Sequence, residues 1–337
     1  MGGALAFVRG GVKTLRFDVL GSADFLVPSR AAAVAAAQSA LGFPVPRPQW
    51  SSGEPGRGFS VTFMRPHKSL AVSPTLLEVI AVEELAPDAD PRAGIVNIRA
   101  MSELQGDRPV KTHGVVVGTS QIEEIIERIR SDGRRHWIHY DALGIPRVWM
   151  GATEEDPCDY RPDDDAGLLL EFVPTPALRL WPETFEGDPG IPDDVGPGGL
   201  VRLASRCFLV AELDKTVDLL GAAFGWELAG PVEKSEDGSR RARMAFSLPQ
   251  SAWLELLEPA PSHPDAEALA RWGTGVWQIR IGVNGLAAKA EDLRSRGTPF
   301  AELVTGFERP PRVLRVDPSA TPGCLFEFAE FEDSRTE

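Results

Sequence analysis

Four glutamates stand inside short apolar runs, where a carboxylate group needs a specific reason to be present. The runs are residues 76–80, 169–173, 253–257 and 325–328, and they contain Glu78, Glu171, Glu255 and Glu327. Burying a charged group without a partner is costly, so each carboxylate should meet a metal, a substrate or a cationic side chain. The residue types alone therefore mark these four positions as candidate sites, with pairing to arginine as the purely structural alternative.

Each glutamate closes a unit that is repeated four times along the chain. A unit opens with a short apolar run, continues with a helix that ends at a glycine, and finishes with two or three strands. The opening runs are residues 23–27, 113–117, 207–210 and 278–283, and the helix-ending glycines are Gly42, Gly133, Gly225 and Gly297. Such internal repeats indicate a modular fold. The pattern predicts four βαβββ modules.

The helices within the repeat are predicted from apolar stripes. Residues spaced three and four apart lie on one face of a helix. The second and third units show this spacing at Ile122, Ile125, Ile126 and Ile129, and at Leu213, Val217, Leu220 and Phe224. Glycine after such a stripe is typical of a helix C-terminus, where a left-handed residue is favoured.

The composition changes sharply at residues 182–199, which are rich in proline, glycine and acidic residues. Because the sequence on its two sides is similar, we interpret this stretch as a linker between domains. A long surface loop within one domain is the alternative. The predicted organisation is a first domain at 15–178, a linker at 179–199 and a second domain at 200–332.

The overall composition argues against several classes of partner. The 337 residues include 35 Lys plus Arg and 49 Asp plus Glu, for a net charge of −14. Binding to nucleic acid or anionic lipid requires clustered positive charge, so we expect neither partner. Three scattered cysteines predict no disulfide framework, and no apolar run approaches the ~18 residues of a membrane span. We expect a cytoplasmic protein whose partner is a small-molecule substrate or ligand, with a homodimer left open.

The four units together resemble the vicinal oxygen chelate superfamily, which includes glyoxalase I, bleomycin-resistance proteins, extradiol dioxygenases and methylmalonyl-CoA epimerase. Segment 276–297 resembles the strand and helix that open the second module, and segments 76–84 and 253–260 resemble a closing strand of that family. The resemblance implies an α+β fold in which four βαβββ modules pair into two glyoxalase-like domains. Each domain would form a cup with up to four inward ligands at its floor.

In the N-terminal half, the resemblance implies a metal site formed by Glu78, His113 and Glu171. The remaining ligand position falls at Ser22, where the family usually has His or Gln. Asp24 lies two residues further along and would face the same side of a strand. One Glu, one His and a second Glu form a plausible set for a divalent ion such as Zn, Ni, Mn, Co or Fe.

In the C-terminal half, Glu255, Gln278 and Glu327 match three positions of a second cup, and the fourth falls at Ser205. Without imidazole or thiolate, this set would hold a transition metal weakly. Cys207 has the parity to face the cup, and a small buried apolar residue is the simpler interpretation of it.

The leading hypothesis implied by the resemblance is a metal-dependent, glyoxalase-like lyase or isomerase. It would act through an enolate or enediolate of a substrate with vicinal oxygens, with Glu78 or Glu171 as the catalytic base. One alternative is a metal-free small-molecule-binding protein of the bleomycin-resistance type. Another is an extradiol-type dioxygenase, although that chemistry prefers two His and one carboxylate on Fe(II).

Overall fold

Each predicted repeat folds as an opening strand, a helix and a set of further strands. The protein is described from a computed structural model covering residues 15–46, 51–52, 57–67, 72–85, 98–140, 144–155, 159–175, 195–307, 312–321 and 323–331. The fold class is α+β, as predicted. No helix in these ranges is both long and apolar enough to cross a membrane.

The N-terminal half contains two sheets, ordered β2-β5-β4-β3 and β1-β6-β9-β8-β7. In each module the opening strand runs parallel to the closing strand, β2 beside β5 and β6 beside β9. The elements are β1 (Val19–Leu20), β2 (Ser22–Val27), α1 (Arg30–Ala36), β3 (Ser51–Ser52), β4 (Arg57–Met64), β5 (Leu76–Leu85), α2 (Ile98–Leu104), β6 (Val115–Thr119), α3 (Ile122–Ser131), β7 (His136–Tyr140), β8 (Pro146–Met150) and β9 (Leu170–Pro174).

The C-terminal half forms one continuous sheet, ordered β11-β12-β13-β10-β14-β17-β16-β15. Its two modules join where β10 and β14 pair in antiparallel fashion. The elements are β10 (Leu200–Leu209), α4 (Leu213–Phe224), β11 (Glu233–Lys234), β12 (Arg240–Met244), β13 (Trp253–Glu258), α5 (Ala266–Trp272), β14 (Gly275–Val283), α6 (Leu286–Ser295), β15 (Phe300–Val304), β16 (Arg312–Val316) and β17 (Leu325–Glu330).

The helices form where the apolar stripes predict them. In α3, Ile125, Ile126 and Ile129 are all buried. Helix α4 ends at Gly225, whose φ of 63° is left-handed and whose N–H returns to the carbonyl groups of the last turn. Glycine adopts this conformation without steric cost, which explains why each unit changes from helix to strand at a glycine.

Side chains that alternate along each strand place core residues on one face of the sheet and site residues on the other. Along β5, Leu77 and Val79 belong to the main hydrophobic core, whereas Glu78 and Ile80 face the opposite side of the sheet. We call the face that carries Glu78 and Glu171 the N-terminal cup, and the face that carries Glu255 and Glu327 the C-terminal cup. Successive side chains on a strand point to opposite faces, so every closing strand presents its glutamate to a cup.

The predicted linker lies mostly outside the described residues, because residues 176–194 are not described. The boundary at 179–199 therefore stays a prediction. Residues 195–199 are described, and they run beside the end of β14, where the Gly198 N–H donates to the Asn284 carbonyl at 2.5 Å.

The two domains contact each other through stacked rings and through cations that bind backbone carbonyls. Phe17 stacks on Trp226 with ring centroids 4.4 Å apart. The Arg108 guanidinium donates to the carbonyls of residues 272, 273, 274 and 276 at 2.6 to 3.1 Å, and Gly275 leaves the room that its close approach requires. Arg206 donates to the Asp24 carbonyl at 2.5 Å, and Lys289 donates to the Leu41 carbonyl at 2.8 Å.

Candidate functional site

The floor of the N-terminal cup is a set of polar residues on β2, on β5 and just before β6. The Ser22 hydroxyl donates to Glu78 Oε2 at 2.7 Å. Asp24 accepts the His113 backbone N–H at 2.7 Å, lies 2.9 Å from His113 Nδ1, and also accepts the Thr112 hydroxyl. Asp24 therefore fixes the imidazole ring rather than leaving its carboxylate directed at the cup.

Burial and neighbouring charges raise the pKa values of two of these groups. Burial raises the pKa of the Glu78 carboxyl to about 7, although His113 and the Ser22 hydrogen bond oppose the rise. Burial acts to lower the pKa of His113, but Asp24, Glu78 and Glu171 together raise it to about 9. A carboxyl group that titrates near pH 7 beside a charged imidazole is suited to accepting and returning a proton.

Glu171 lies on β9, opposite Trp149 of β8. Arg147 Nη1 donates to Glu171 Oε1 at 2.6 Å, whereas the buried Oε2 has no hydrogen-bond donor among the described residues. The Trp149 ring also meets His113 edge-on, with ring centroids 5.7 Å apart. Trp149 thus neighbours both Glu171, across the strands, and His113, through its ring.

Apolar side chains cover the polar floor of the N-terminal cup. One cluster joins Leu26, Val61, Ile80 and Ile98, and a second joins Met101, Trp137, Trp149 and Leu169. Ile98 and Met101 both belong to α2, the helix between the two modules. Helix α2 therefore packs on both sheets and encloses the floor.

The predicted N-terminal metal ligands do not form a ligand set as they are arranged. Within the described ranges, no group of three or more His, Cys, Asp or Glu side chains could hold a metal ion. Asp24 holds His113 Nδ1 and Arg147 holds Glu171 Oε1, so these hydrogen bonds leave His113 Nε2 and the buried Glu171 Oε2 uncommitted. The metal site at Glu78, His113 and Glu171 remains a prediction from sequence.

The C-terminal cup surrounds its first glutamate with arginine. Glu255 accepts hydrogen bonds from Ser205 Oγ at 2.8 Å, Arg243 Nε at 2.8 Å and Arg280 Nη1 at 3.2 Å. Arg241 Nη1 lies 3.3 Å from the same carboxylate. Burial acts to raise the pKa of Glu255, but Arg241, Arg280 and Arg243 hold it well below its ordinary value.

The second glutamate of the C-terminal cup is held in the same way. Glu327 accepts from Arg280 Nη2 and Gln278 Nε2, both at 2.9 Å, and lies 2.8 Å from Arg315 Nη2. Arg315 also binds Asp265 through two hydrogen bonds of 2.6 and 2.8 Å. Three of the predicted second-cup residues are thus brought together, as a floor of ion pairs and hydrogen bonds rather than as a metal site.

A cavity of about 730 Å³ opens above this floor. Its walls come from the central strands β10, β12, β13 and β14, with further residues after β15 and β17. Trp253, Phe307 and Phe331 contribute aromatic surface. The volume falls in the range of ~300–1,000 Å³ that suits a small-molecule ligand.

Comparisons with known proteins address the fold. Searches against protein-family models and curated proteins found no match. A substituted variant of 4-hydroxymandelate synthase from Streptomyces coelicolor is similar over 94% of this chain and 92% of that chain, with 14% identity and a TM-score of 0.54. The chain has the vicinal oxygen chelate fold.

Shorter solved structures also match. Methylmalonyl-CoA epimerase from Streptomyces coelicolor, in complex with 2-nitronate-propionyl-CoA, covers 40% of this chain and 97% of its own at 26% identity, with a TM-score of 0.34. The epimerase from Mycobacterium tuberculosis covers 40% of this chain and 89% of its own at 26% identity, with a TM-score of 0.33.

Strand register relates the two vicinal oxygen chelate domains residue by residue. Glu78 of β5 lies opposite Phe63 of β4, whereas Glu255 of β13 lies opposite Arg243 of β12. The next cross-strand position on that face is Val61 in the first domain and Arg241 in the second. Likewise, Glu171 lies beside Val116, but Glu327 lies beside Arg280.

The register also corrects the predicted equivalence of His113 and Gln278. Gln278 precedes Arg280 by two residues on β14, and the corresponding position before Val116 is Gly114 rather than His113. A side chain at Gly114 would collide with the Trp149 ring, which lies 2.6 Å from where its Cβ would be. His113 therefore occupies the bend before β6 and reaches the floor through Asp24.

Sequence analysis did not identify the arginines as site residues. Arg241 and Arg243 are two apart and therefore share one face of β12, and Arg280 follows Gln278 by two on β14. That period-two spacing on strands next to the glutamates was the available signal. Cys207 does line the deeper part of this cup, and it is buried.

Proposed function

We propose that the protein binds a small organic molecule in the C-terminal cup without a metal ion. The observation that carries this proposal is the arginine pairing of Glu255 and Glu327 beneath an open cavity. The proposal corresponds to the metal-free alternative raised by the sequence.

Physical chemistry supports this choice over metal binding at the same floor. A divalent ion at Glu255 would have to compete with Arg241, Arg243 and Arg280 for one carboxylate. Displacing a guanidinium from a buried pair leaves that cation unpaired, at a cost of ~3–5 kcal/mol. The side chains on offer are also carboxylates and one amide, which bind transition metals weakly.

The test is a ligand screen by thermal shift, performed with a chelator present throughout. We expect compounds that raise the Tm equally with and without chelator. Ala204 lines the cavity and is partly exposed, so Ala204→Trp should fill the cavity without crowding the core and should abolish the shift. Ala301→Trp, at an exposed position on β15, is the matched control and should leave the shift unchanged. Binding that requires added metal, or that survives Ala204→Trp, would overturn the proposal.

A second candidate function is acid–base chemistry of the glyoxalase-like lyase or isomerase type in the N-terminal cup. The pKa of about 7 for Glu78, next to His113 and Glu171, favours it. In this scheme the Glu78 carboxylate takes a proton from carbon next to a carbonyl group. The electron pair of that C–H bond moves to the carbonyl oxygen, and the His113 imidazolium stabilises the resulting enolate.

Solvent-deuterium exchange tests this second candidate. Incubation in deuterated water with α-hydroxy ketones, hemithioacetals or acyl thioesters should place deuterium next to the carbonyl group. Glu78→Gln nearly preserves size while removing the charge, and loss of the base should slow exchange by ~10²–10⁴-fold. Glu302→Gln, at an exposed position, is the control. Equal exchange in wild type and Glu78→Gln would exclude this carboxylate as the base.

A further inference from the structure

The wall of the C-terminal cavity carries more positive than negative charge. Four cationic side chains face it: Arg202, Arg241, Arg243 and Arg280. Two acidic side chains face it: Glu233 and Glu255. Lys234 and Glu330 also border the cavity, but Lys234 lies opposite Arg240 on the other face of the sheet, and the Glu330 carboxylate accepts the backbone N–H groups of residues 285 and 286. Two positive charges are therefore in excess on the wall. The complete chain carries a net charge of −14, which makes a local cationic excess in its open cavity informative about the ligand.

The deeper floor removes one of these two excess positive charges and leaves the other. Below the cavity, Arg315 is paired with Asp265 and Glu327, so the floor adds two carboxylates and one guanidinium. The cup as a whole keeps one positive charge in excess. Glu255 and Glu327 are 1% and 0% exposed, so an incoming ligand does not meet these carboxylates first.

The cations nearest to solvent lie at the cavity rim. Arg202 and Arg243 are both partly exposed. Arg202 lies over the Phe331 ring at 5.0 Å, Arg243 lies over Trp253 at 5.8 Å and, deeper in the cavity, Arg241 lies over Phe307 at 4.7 Å. Each guanidinium is thus placed beside apolar surface, and the wall offers charge and aromatic contact together.

We infer that the ligand of the C-terminal cup is an organic dianion, with two carboxylate or phosphate groups attached to an apolar body. This inference rests on the proposed function and specifies its ligand class. Arginine recognises both carboxylate and phosphate through paired N–H donors. The two charges match the excess on the wall, and the apolar body matches the three aromatic rings.

The experiment uses a matched pair of probes, a naphthalene dicarboxylate and the corresponding neutral naphthalene dicarboxamide, measured by calorimetry with chelator present. Naphthyl phosphate serves as the phosphate-bearing dianion. We expect both dianions to bind, and we expect the diamide to bind at least about tenfold more weakly, the scale of one charge-assisted contact. Raising the ionic strength should weaken binding of the dianions and leave the diamide unaffected.

A substitution at the rim locates the effect. Arg202→Met keeps an unbranched side chain and removes a charge, and it should weaken dianion binding by about tenfold. Arg240→Met is the matched control, because Arg240 lies on β12 outside the cavity and pairs with Asp214. It should leave binding unchanged.

The outcomes separate this inference from the proposed function. If the diamide binds as tightly as the dicarboxylate, the dianion inference fails while the proposed function stands. If only neutral or cationic compounds bind, and Ala204→Trp blocks them, the inference fails in the same way. If no compound of any charge binds in a manner that Ala204→Trp abolishes, the proposed function itself fails.

Discussion

The two cups have the same backbone plan but surround their first buried carboxylate in opposite ways. Each begins with the same contact, a serine on the opening strand that donates to the first glutamate, at 2.7 Å from Ser22 to Glu78 and at 2.8 Å from Ser205 to Glu255. The two sites diverge at the neighbouring strand, which supplies Phe63 in one case and Arg243 in the other.

The arginines around Glu255, Arg241 and Arg280 ahead of Arg243, have a large effect on its protonation. Beside phenylalanine, burial dominates and the pKa of Glu78 rises to about 7. Beside arginine, opposite charge dominates and the pKa of Glu255 falls well below its ordinary value. The N-terminal cup therefore has a carboxyl group that can exchange a proton near pH 7, whereas the C-terminal cup has fixed charges and an open volume.

Removing the central arginine of the C-terminal cup should have the largest effect. Arg280 pairs with both Glu255 and Glu327, so Arg280→Met leaves two buried carboxylates short of a partner. We expect the free energy of unfolding, measured by urea denaturation, to fall by about 3–5 kcal/mol. Arg147→Met in the N-terminal cup should cost less, because Arg147 is 22% exposed and serves one carboxylate.

The double variant Arg280→Met with Glu327→Gln checks this explanation. Neutralising one of the two carboxylates that lose Arg280 should recover part of the lost stability. An Arg280→Met protein within 1 kcal/mol of wild type would show that the arginine is not required to pair these carboxylates.

Placing an arginine opposite Glu78, as Arg243 lies opposite Glu255, should lower the pKa of Glu78. Phe63→Arg places a guanidinium opposite Glu78, and a nearby opposite charge lowers a carboxyl pKa by ~1–3 units. NMR titration of the Glu78 carboxyl carbon should show its pKa moving down from about 7. Phe63→Met is the control and should leave the titration near its original midpoint. An unchanged pKa in Phe63→Arg would mean that this cross-strand position does not set the protonation of the glutamate.

The raised pKa values also predict how stability depends on pH. The pKa of Glu78 is about 7 in the folded protein, against an ordinary value of 4.5, so its contribution to stability is full below 4.5 and is lost as pH rises through 7. The pKa of His113 is about 9, so its contribution is full below its ordinary value of 6.5 and is lost as pH rises through 9. Both groups act in the same direction. We expect the Tm to fall by about 10 °C or more between pH 5 and pH 9, because two shifts of this size are worth several kcal/mol and each kcal/mol moves the Tm of a domain by ~2–4 °C.

Glu78→Gln separates the two contributions. This variant should flatten the Tm profile below about pH 7 and keep the decrease above it, because His113 still titrates. Glu302→Gln, at an exposed site, should follow the wild-type profile. A profile in which Glu78→Gln and wild type coincide at every pH would contradict the assignment.

The smallest predicted effect concerns the contact that the cups share. Ser22→Ala and Ser205→Ala each remove one hydrogen bond to a buried glutamate, worth about 1 kcal/mol. Ser22→Ala should lower the free energy of unfolding more, because the residue opposite Glu78 is Phe63 rather than an arginine. It should also raise the Glu78 pKa further, since the Ser22 hydrogen bond lowers it. Equal costs at the two positions would indicate that the arginines do not substitute for the serine.

Sequence alone could predict the repeat and the positions of the four glutamates, because both depend on local periodicity. Glu78 and Glu255 face cups since alternation along a strand fixes which side each residue takes. The arginine pairs could not be predicted in the same way, since they depend on the register between β12 and β13 and between β16 and β17. Register is set by the turns between strands and by packing, not by the period of either strand.

The position of His113 shows a second limit of sequence analysis. Its place at the start of the run 113–117, together with the family resemblance, suggested a position on the opening strand. The structure begins that strand at Val115, because the Trp149 ring fills the space over Gly114. A contact between residues 35 apart in the chain thus decided which residue occupies the strand, and no local pattern around His113 reports it.

The cations that join the two domains have a consequence for how this protein can vary. Arg108, Arg206 and Lys289 each end on backbone carbonyls of the opposite domain, a group that every amino acid carries. Exchanging one side chain for another at an acceptor position, such as Thr274 or Leu41, leaves the acceptor in place. Losing or gaining a single residue there would move every following carbonyl by one step. The seam between the halves should therefore tolerate drift in residue identity at an exposed acceptor such as Thr274, but not at Gly275, where Arg108 approaches closely. All of its acceptor segments should resist changes in length.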